Sequence, residues 1–416
     1  MSFTTWHVQQ HSKHKKLFHK NAKPRTLLIT RNFPPLVGGM ERLNQHIFLE
    51  LSRGFHMGLV GPRGAHSTLK RTRQVWECPV IPLPKFLFCA SIKGIQSALR
   101  LRPRIILAGS GLTAPIAYIA GKIVGARVMV YLHGLDVEVR HPIYRCLWRP
   151  SFRRFNLVIV NSKFTKRLAE NAGVSPQRIV IIHPGVSMPK LEQSTEKRWE
   201  FRQRHKLGDN PVMLYVGRIT PRKGLASFSR DILPRVLKQL PSAKLVVIGD
   251  APSLALIRRD DELRLVKHIL ISNSLGKSVL FLGNVGDDEL DAAYFAADVL
   301  IFPVQQHSYD NEGFGMVAIE AAAHGLPTVA FAAGGVPDAV RDGISGRLIP
   351  ARHNQAFADA VLEVLSHRED NRWHMSCRKF AEEFSWAAFG HKVRRICLEI
   401  LSEYLNFGAP VTTGGK

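Results

Sequence analysis

Short apolar runs that end in turns alternate along this chain with longer stretches whose apolar residues recur every three or four positions. The first run is Arg25–Thr30, and others follow at Ile105–Ala108, Arg127–Leu132, Leu157–Asn161 and Ile179–Ile182. Uninterrupted apolar runs of this length predict strands buried on both faces of a parallel sheet. Between them, Met40–Arg53 carries Leu43, Ile47, Phe48 and Leu51 on one helical stripe. The alternation pauses over 188–210, where Lys190, Glu192, Glu196, Lys197, Arg198, Glu200, Arg202 and Arg204 crowd together, and residues 191–210 read as an interdomain linker. It then resumes with strands expected at Val212–Val216, Lys244–Ile248, Val279–Leu282, Val299–Phe302, Thr328–Phe331 and Gly346–Ile349, and turns helical from Asn354 to a last helix at Trp386–Leu405. The pattern predicts an α/β protein with two parallel-sheet domains, 25–190 and 211–380, and a ligand cleft where the strand C-terminal ends face each other. Residues 1–24 read as a basic flexible arm, and 381–416 as a C-terminal helix packing back toward the first domain.

Charge changes the picture. Of 58 Lys and Arg against 33 acids, residues 1–200 hold 32 and 9, a balance of +23, while 201–416 hold 26 and 24, a balance of +2. A basic first half concentrates anionic partners, and on composition alone nucleic acid and an anionic membrane surface stand level. The 5 cysteines are scattered, with no CxxC pair and no His at zinc-ligand spacing, which points to a reducing cytoplasm rather than a disulfide framework. The longest uncharged stretch, 105–121, is too short and too rich in glycine to span a bilayer.

The turns after the strands carry the candidate chemistry. Gly109-Ser110-Gly111-Leu112-Thr113-Ala114 fits a dinucleotide fingerprint in spacing, with Asp136 downstream, but that fingerprint opens the first βαβ unit and this one follows a later strand. After the first strand, Gly38-Gly39 precede a helix, where free N–H groups favour an anion or the glycines serve only as a hinge. Gly217-Arg218-Ile219-Thr220-Pro221-Arg222-Lys223-Gly224 follows Val212–Val216, and Arg218 with Lys223 makes a pair of cations suited to a diphosphate. In Glu312-Gly313-Phe314-Gly315-Met316-Val317-Ala318-Ile319-Glu320, the glycines open a turn, Glu312 precedes a helix start, and Glu320 lies inside that helix.

Taken in order, Gly38-Gly39, His133-Gly134-Leu135-Asp136, Gly217-Arg218 with Lys223-Gly224, and Glu312-Gly-Phe-Gly…Glu320 resemble the retaining glycosyltransferases of the large GT4 group. The resemblance covers about residues 25–350. It implies the GT-B fold, two Rossmann-like domains facing across a cleft. It also implies a nucleotide-sugar donor as substrate and no cofactor. By this resemblance Arg218 and Lys223 neutralise the donor diphosphate, and Glu312 holds hydroxyls of the donor hexose beside the backbone of Gly313, Phe314, Gly315, Met316 and Val317. Glu320 accepts the ribose hydroxyls, Gly38 and Gly39 close the phosphate pocket, and His133 contacts the donor sugar near the reacting carbon. The nucleobase is expected near Gly283-Asn284-Val285. The chain has no Asp-x-Asp, so no metal-chelating carboxylate pair is expected.

In that family the first domain binds the acceptor, here a hydroxyl of an envelope lipid or glycan, and GDP-mannose and UDP-hexoses are both open as donors. Lys70-Arg71-Thr72-Arg73 with Trp76, Lys85, Phe86 and Phe88, and the stripe Arg145, Arg149, Arg153 beside Trp148, Phe152 and Phe155, pair cations with large apolar groups. These stretches predict a peripheral enzyme on the anionic inner face of the cell membrane. Nucleic acid is not expected, because no reading motif accompanies the charge. The alternatives are another two-domain sugar-nucleotide enzyme, or a non-enzymatic basic adaptor that leaves the second-domain motifs idle.

Overall fold

A computed structural model describes residues 23–69, 74–250, 261–369 and 371–407. The expected arm over 1–22 and the Lys70–Arg73 cluster lie outside the described residues. The first sheet holds seven parallel strands, β1 (Arg25–Ile29), β2 (His56–Pro62), β3 (Val75–Cys78), β4 (Ile105–Ala108), β5 (Arg127–Leu132), β6 (Leu157–Val160) and β7 (Ile179–Ile181), in the spatial order β3-β2-β1-β4-β5-β6-β7. The second holds six, β8 (Val212–Val216), β9 (Lys244–Ile248), β10 (Val279–Gly283), β11 (Val299–Phe302), β12 (Thr328–Phe331) and β13 (Gly346–Ile349), ordered β10-β9-β8-β11-β12-β13. All neighbouring strands run parallel, and helices cover both faces. This is the GT-B architecture. Strands β2 and β3 are absent from the sequence reading, because Gly58, Gly61 and Pro62 break one run and the half-buried Trp76 and Glu77 interrupt the other.

In each sheet the strand order reverses beside the first strand, between β1 and β4 and between β8 and β11. A doubly wound sheet opens its ligand crevice at the C-terminal ends of such neighbours, because the two connections leave in opposite directions. The glycine-bearing turns singled out above follow these strands.

The segment 191–210 is not a linker. Ser194–Arg204 is a helix of the second domain, packed on the helix Asp287–Ala296. Two of its arginines are held against the second domain: Arg198 and Arg202 reach the two oxygens of buried Asp298 at 2.7 and 2.8 Å. The actual crossings lie at 186 and 385. There the Val186 N–H donates to the Phe384 carbonyl at 2.7 Å and the Trp386 N–H to the Val186 carbonyl at 3.2 Å. The second crossing delivers the helix Trp386–Phe407 onto the first domain. There Phe389, Val393, Cys397 and Leu401 join the core formed by Leu43, Ile47 and Leu51, and Trp386 stacks on His46 at 3.7 Å. The two crossings thus lie side by side and are bonded to each other.

Candidate active site

The loops after β8 and β11 are tied together where the Gln305 N–H donates to the Arg222 carbonyl at 2.8 Å. They bring Lys223 and Glu312 into contact. Lys223 Nζ lies 2.8 Å from Glu312 Oε2, and Arg222 Nη1 donates to the same oxygen at 2.5 Å while its Nε lies 3.1 Å from Asp310. Burial alone would raise the Glu312 carboxyl, but the charges of Lys223 and Arg222 outweigh it and hold the group at about 2. Glu312 is therefore an anion throughout the neutral range, able to accept hydroxyls but not to donate a proton. Burial pushes Lys223 below its ordinary value, since the pull of Glu312 is offset by repulsion from Arg222. An ammonium stripped of water in this way gains more from an incoming phosphate than a solvated one would.

Arg222 is the residue the sequence reading passed over. Arg218, chosen instead, is exposed, and its carbonyl accepts from the Tyr215 hydroxyl at 3.2 Å. Both follow the same strand, so spacing alone does not separate them. The 3₁₀ turn Pro221–Lys223 aims Arg222 and Lys223 at Glu312, while Arg218 stays exposed and acts on both Lys223 and Glu312 through its charge.

The helix Met316–Ala323 starts after Gly315, whose φ of +110° suits glycine; the Ala318 N–H donates to the Gly315 carbonyl at 3.0 Å, and the Met316 and Val317 N–H groups before it have no carbonyl one turn back. Phe314 is not available to a donor through its side chain. It is buried, stacked on His183 at 5.3 Å and packed on Phe384 beside the second crossing, so only its backbone remains for the cleft. Glu320 accepts from the Tyr294 hydroxyl at 3.0 Å and from Arg42 Nη1 at 2.8 Å. Arg42 comes from the first domain, one turn after Gly38-Gly39, so this pair bridges the cleft. Gly39 lies against Met316: a Cβ built there would stand 3.0 Å from the Met316 sulfur.

From the first domain, His133 Nε2 stands 2.9 Å from the Gly109 carbonyl, which can only accept, so that nitrogen carries the proton and Nδ1 is the acceptor in the neutral ring. The His133 N–H donates to Asp136 at 3.2 Å. The turn Gly109–Ala114 thus orients His133. The His133 carbonyl and Asn161 press on Gly313, where a Cβ would meet that oxygen at 2.1 Å. Asn311 donates from its backbone and side chain to Glu138 at 3.1 and 2.7 Å, and the Lys163 N–H donates to Asp338 at 2.5 Å. The structure therefore shows a cleft with its walls in contact, gathering His133, Gly39, Lys223, Glu312, Gly313 and Glu320 along it.

Family models match both halves of this arrangement: "Glycosyltransferase Family 4" over residues 37–188 and "Glycosyl transferases group 1" over 210–367. The chain belongs to the GT4-type glycosyltransferases. It is similar to a GDP-mannose-dependent alpha-(1-6)-phosphatidylinositol monomannoside mannosyltransferase of Mycobacterium tuberculosis, 29% identical over 361 residues that cover 83% of this chain and 90% of the relative. It is also similar to a D-inositol 3-phosphate glycosyltransferase of Corynebacterium aurimucosum, 35% identical over 256 residues covering 59% and 57%. Among solved structures, Anabaena Alr3699/HepE in complex with UDP-glucose superposes with a TM-score of 0.73 at 21% identity, over 91% of this chain and 99% of that one. This GT4 enzyme uses a nucleotide-sugar donor.

The two aromatic stripes expected on the surface of the first domain are mostly core. Phe86, Phe152 and Phe155 are fully buried under the first sheet, and Trp148 donates to the Leu112 carbonyl at 2.8 Å. Of the aromatics named in the sequence, Phe88 does face out, and it is joined by Ile92 and Leu99 on the same helix Leu83–Leu101 and by Ile119 and Ile123 on the helix Ala114–Val124 packed beside it.

Proposed function

We propose that this enzyme moves a mannosyl group from GDP-mannose, with retention, to a hydroxyl of a phosphoinositol-type glycolipid on the inner face of the cell membrane. The carrying observation is the buried Lys223–Glu312–Arg222 cluster at the β8/β11 switch point. The donor and acceptor classes are drawn from the mycobacterial relative named above. Lys223 and Arg218 take the diphosphate, with the N–H groups at the start of Met316–Ala323. The Glu312 carboxylate takes sugar hydroxyls. Glu320 takes the ribose once Arg42 yields it, and the base lies near Gly283-Asn284-Val285. The bond from the anomeric carbon to the phosphate oxygen breaks, and the acceptor oxygen bonds to the same face. The acceptor proton passes to the departing phosphate, whose oxygens gain charge as the bond breaks, whereas Glu312, held at about 2 by Lys223 and Arg222, is too weak a base to keep it. Fixed cations supply the charge stabilisation that the departing diphosphate requires.

Transfer is expected to proceed in excess EDTA, because two or three side-chain cations converge where a divalent ion would otherwise sit. Complete loss of transfer, restored by Mg²⁺ or Mn²⁺, would overturn that part of the reading. Donor choice is tested by thermal shift with GDP, UDP and ADP. The cognate nucleotide at 100 times its Kd adds about 2.7 kcal/mol, and a response to UDP alone would replace mannose by a UDP-hexose.

The peripheral reading rests on the outward face formed by Phe88, Ile92, Leu99, Ile119 and Ile123 with exposed Lys85, Arg100 and Lys122. No helix among the described residues is long and apolar enough to cross a membrane. Lys or Arg near an anionic leaflet contributes about 1 kcal/mol each. The protein is expected to sediment with anionic vesicles and not with neutral ones, to release as salt is raised, and to lose binding on Phe88→Glu. Equal sedimentation with both vesicle types, or none with either, would leave a soluble saccharide as the better acceptor.

A further inference from the structure

The mechanism above makes no use of residues 140–154, the later part of the segment between β5 and β6. After Pro142 the chain passes through a wide π-type turn, Tyr144–Trp148, into the short helix Arg149–Phe152. Its inner side, Trp148 and Phe152, is anchored as described. On the outer side Arg145, Arg149 and Arg153 join Arg140, Cys146 and Asn171 around a cavity of about 460 Å³. Among the described residues none of these four arginines forms an ion pair. Arg140 lies over the Tyr309 ring, Arg153 Nε donates to the Ala172 carbonyl at 2.7 Å, and Arg149 Nε is buried with no acceptor at all.

Four like charges converging on one cavity repel, and a buried guanidinium N–H without a partner forgoes a hydrogen bond that would be charge-assisted. Both costs are relieved by one ligand, an oxyanion that several guanidinium forks can grip. The location narrows which anion. Arg140 rests on Tyr309, in the loop that carries Glu312, and Glu138, two residues before Arg140, binds Asn311. The cavity therefore adjoins the edge of the cleft on the acceptor side. We propose that it is a phosphate site, where Arg145 and Arg149 hold a phosphate group of the acceptor so that the rest of that molecule extends toward the donor. That the anion belongs to the acceptor rests on the function proposed above. The existence of an anion site does not.

The test is equilibrium dialysis of the full chain against radiolabelled inorganic phosphate with GDP at saturation, so that the diphosphate site is occupied. One phosphate per chain is expected to stay bound. Arg149→Gln with Arg145→Gln is expected to weaken it about tenfold or more, and Arg149→Lys, which keeps the charge and loses the fork, by less. Melting temperature reports folding. If the double variant does not fold, Arg145→Gln and Arg140→Gln at exposed positions serve in its place. A second arm measures sedimentation with phosphatidylinositol or phosphatidylcholine vesicles, again with GDP. Loss of the phosphatidylinositol preference in the double variant makes the phosphate a lipid headgroup, and an unchanged preference beside lost phosphate binding makes it part of a soluble phosphorylated acceptor. Either outcome supports the site. Absence of bound phosphate under GDP, or binding that none of the variants weakens, overturns it. Donor hydrolysis, measured separately, tells whether the transfer reading fails on its own.

Discussion

Lys223→Met is expected to lower turnover by about 10²–10³-fold, roughly 2.7–4 kcal/mol of barrier, which is the usual effect of removing one preorganised group that faces developing charge. The size follows from the surroundings of the ammonium. It is buried, 2.8 Å from Glu312, and held by a short turn rather than by a loose surface loop. Methionine keeps the length and fills the space, so the fold should stay intact, with the melting temperature lowered only by the loss of the ion pair to Glu312. Glu312→Gln is expected to fall by a similar factor for a different reason: the amide still reaches the sugar, but Lys223 and Arg222 are left close together with no anion between them. The sign of the linkage is checkable. Because the Glu312 carboxyl is depressed to about 2, its contribution to stability is complete above the ordinary carboxyl value near 4.5 and fades as pH falls toward 2. Removing Lys223 takes away much of that contribution, so the variant should melt earlier than the parent above about pH 4.5, and the difference should shrink as pH falls toward 2. Turnover within twofold of the parent for either substitution would remove these residues from the mechanism.

Why these two residues stood out in the sequence, and Arg222 did not, has a physical basis. Pro221 and Gly224 are punctuation that any reader of turns will notice, and both glycines around Phe314 mark a place where backbone must come close to something. Strand ends followed by such turns are legible because the constraint is local. Which of two neighbouring arginines points inward is decided by the 3₁₀ geometry and by a carboxylate 90 residues away, and no local pattern encodes it. The same holds for Arg42 on Glu320, a pairing between domains.

The charged stretch 191–210 was misleading for a related reason. Arg198 and Arg202 look solvated in sequence, yet Asp298 lies buried at the start of β11 and draws both onto the second domain. The arginine stripe at 145, 149 and 153 was legible as a stripe, but its aromatic companions were read as a surface and proved to be core. A sequence shows that two faces of a helix differ without showing which of them is dry. Phe88 was legible in sequence, but the exposed apolar neighbours that extend it, Ile92, Leu99, Ile119 and Ile123, are visible only once the first sheet's helices are in place.

Gly313→Ala should separate closure of the cleft from the chemistry within it. Gly313 lies where the walls touch, and the added methyl would stand 2.1 Å from the His133 carbonyl and 2.9 Å from the Asn161 amide nitrogen. The first of these neighbours is backbone at the end of β5 and cannot turn aside, so the two domains must part by the better part of a carbon radius. Contacts that depend on the same approach, Asn311 on Glu138 and Arg42 on Glu320, would stretch with them. A displacement near 1 Å between a donor held by one domain and an acceptor held by the other typically costs about 10²-fold in rate. Turnover of Gly313→Ala is therefore expected to fall about 100-fold, while donor affinity falls far less, because Lys223, Glu312 and the helix start remain together in the second domain. Small-angle scattering of the variant with nucleotide bound should report a more open pair of domains than the parent. A variant that closes and turns over like the parent would show that the wall contact at Gly313 is incidental to catalysis.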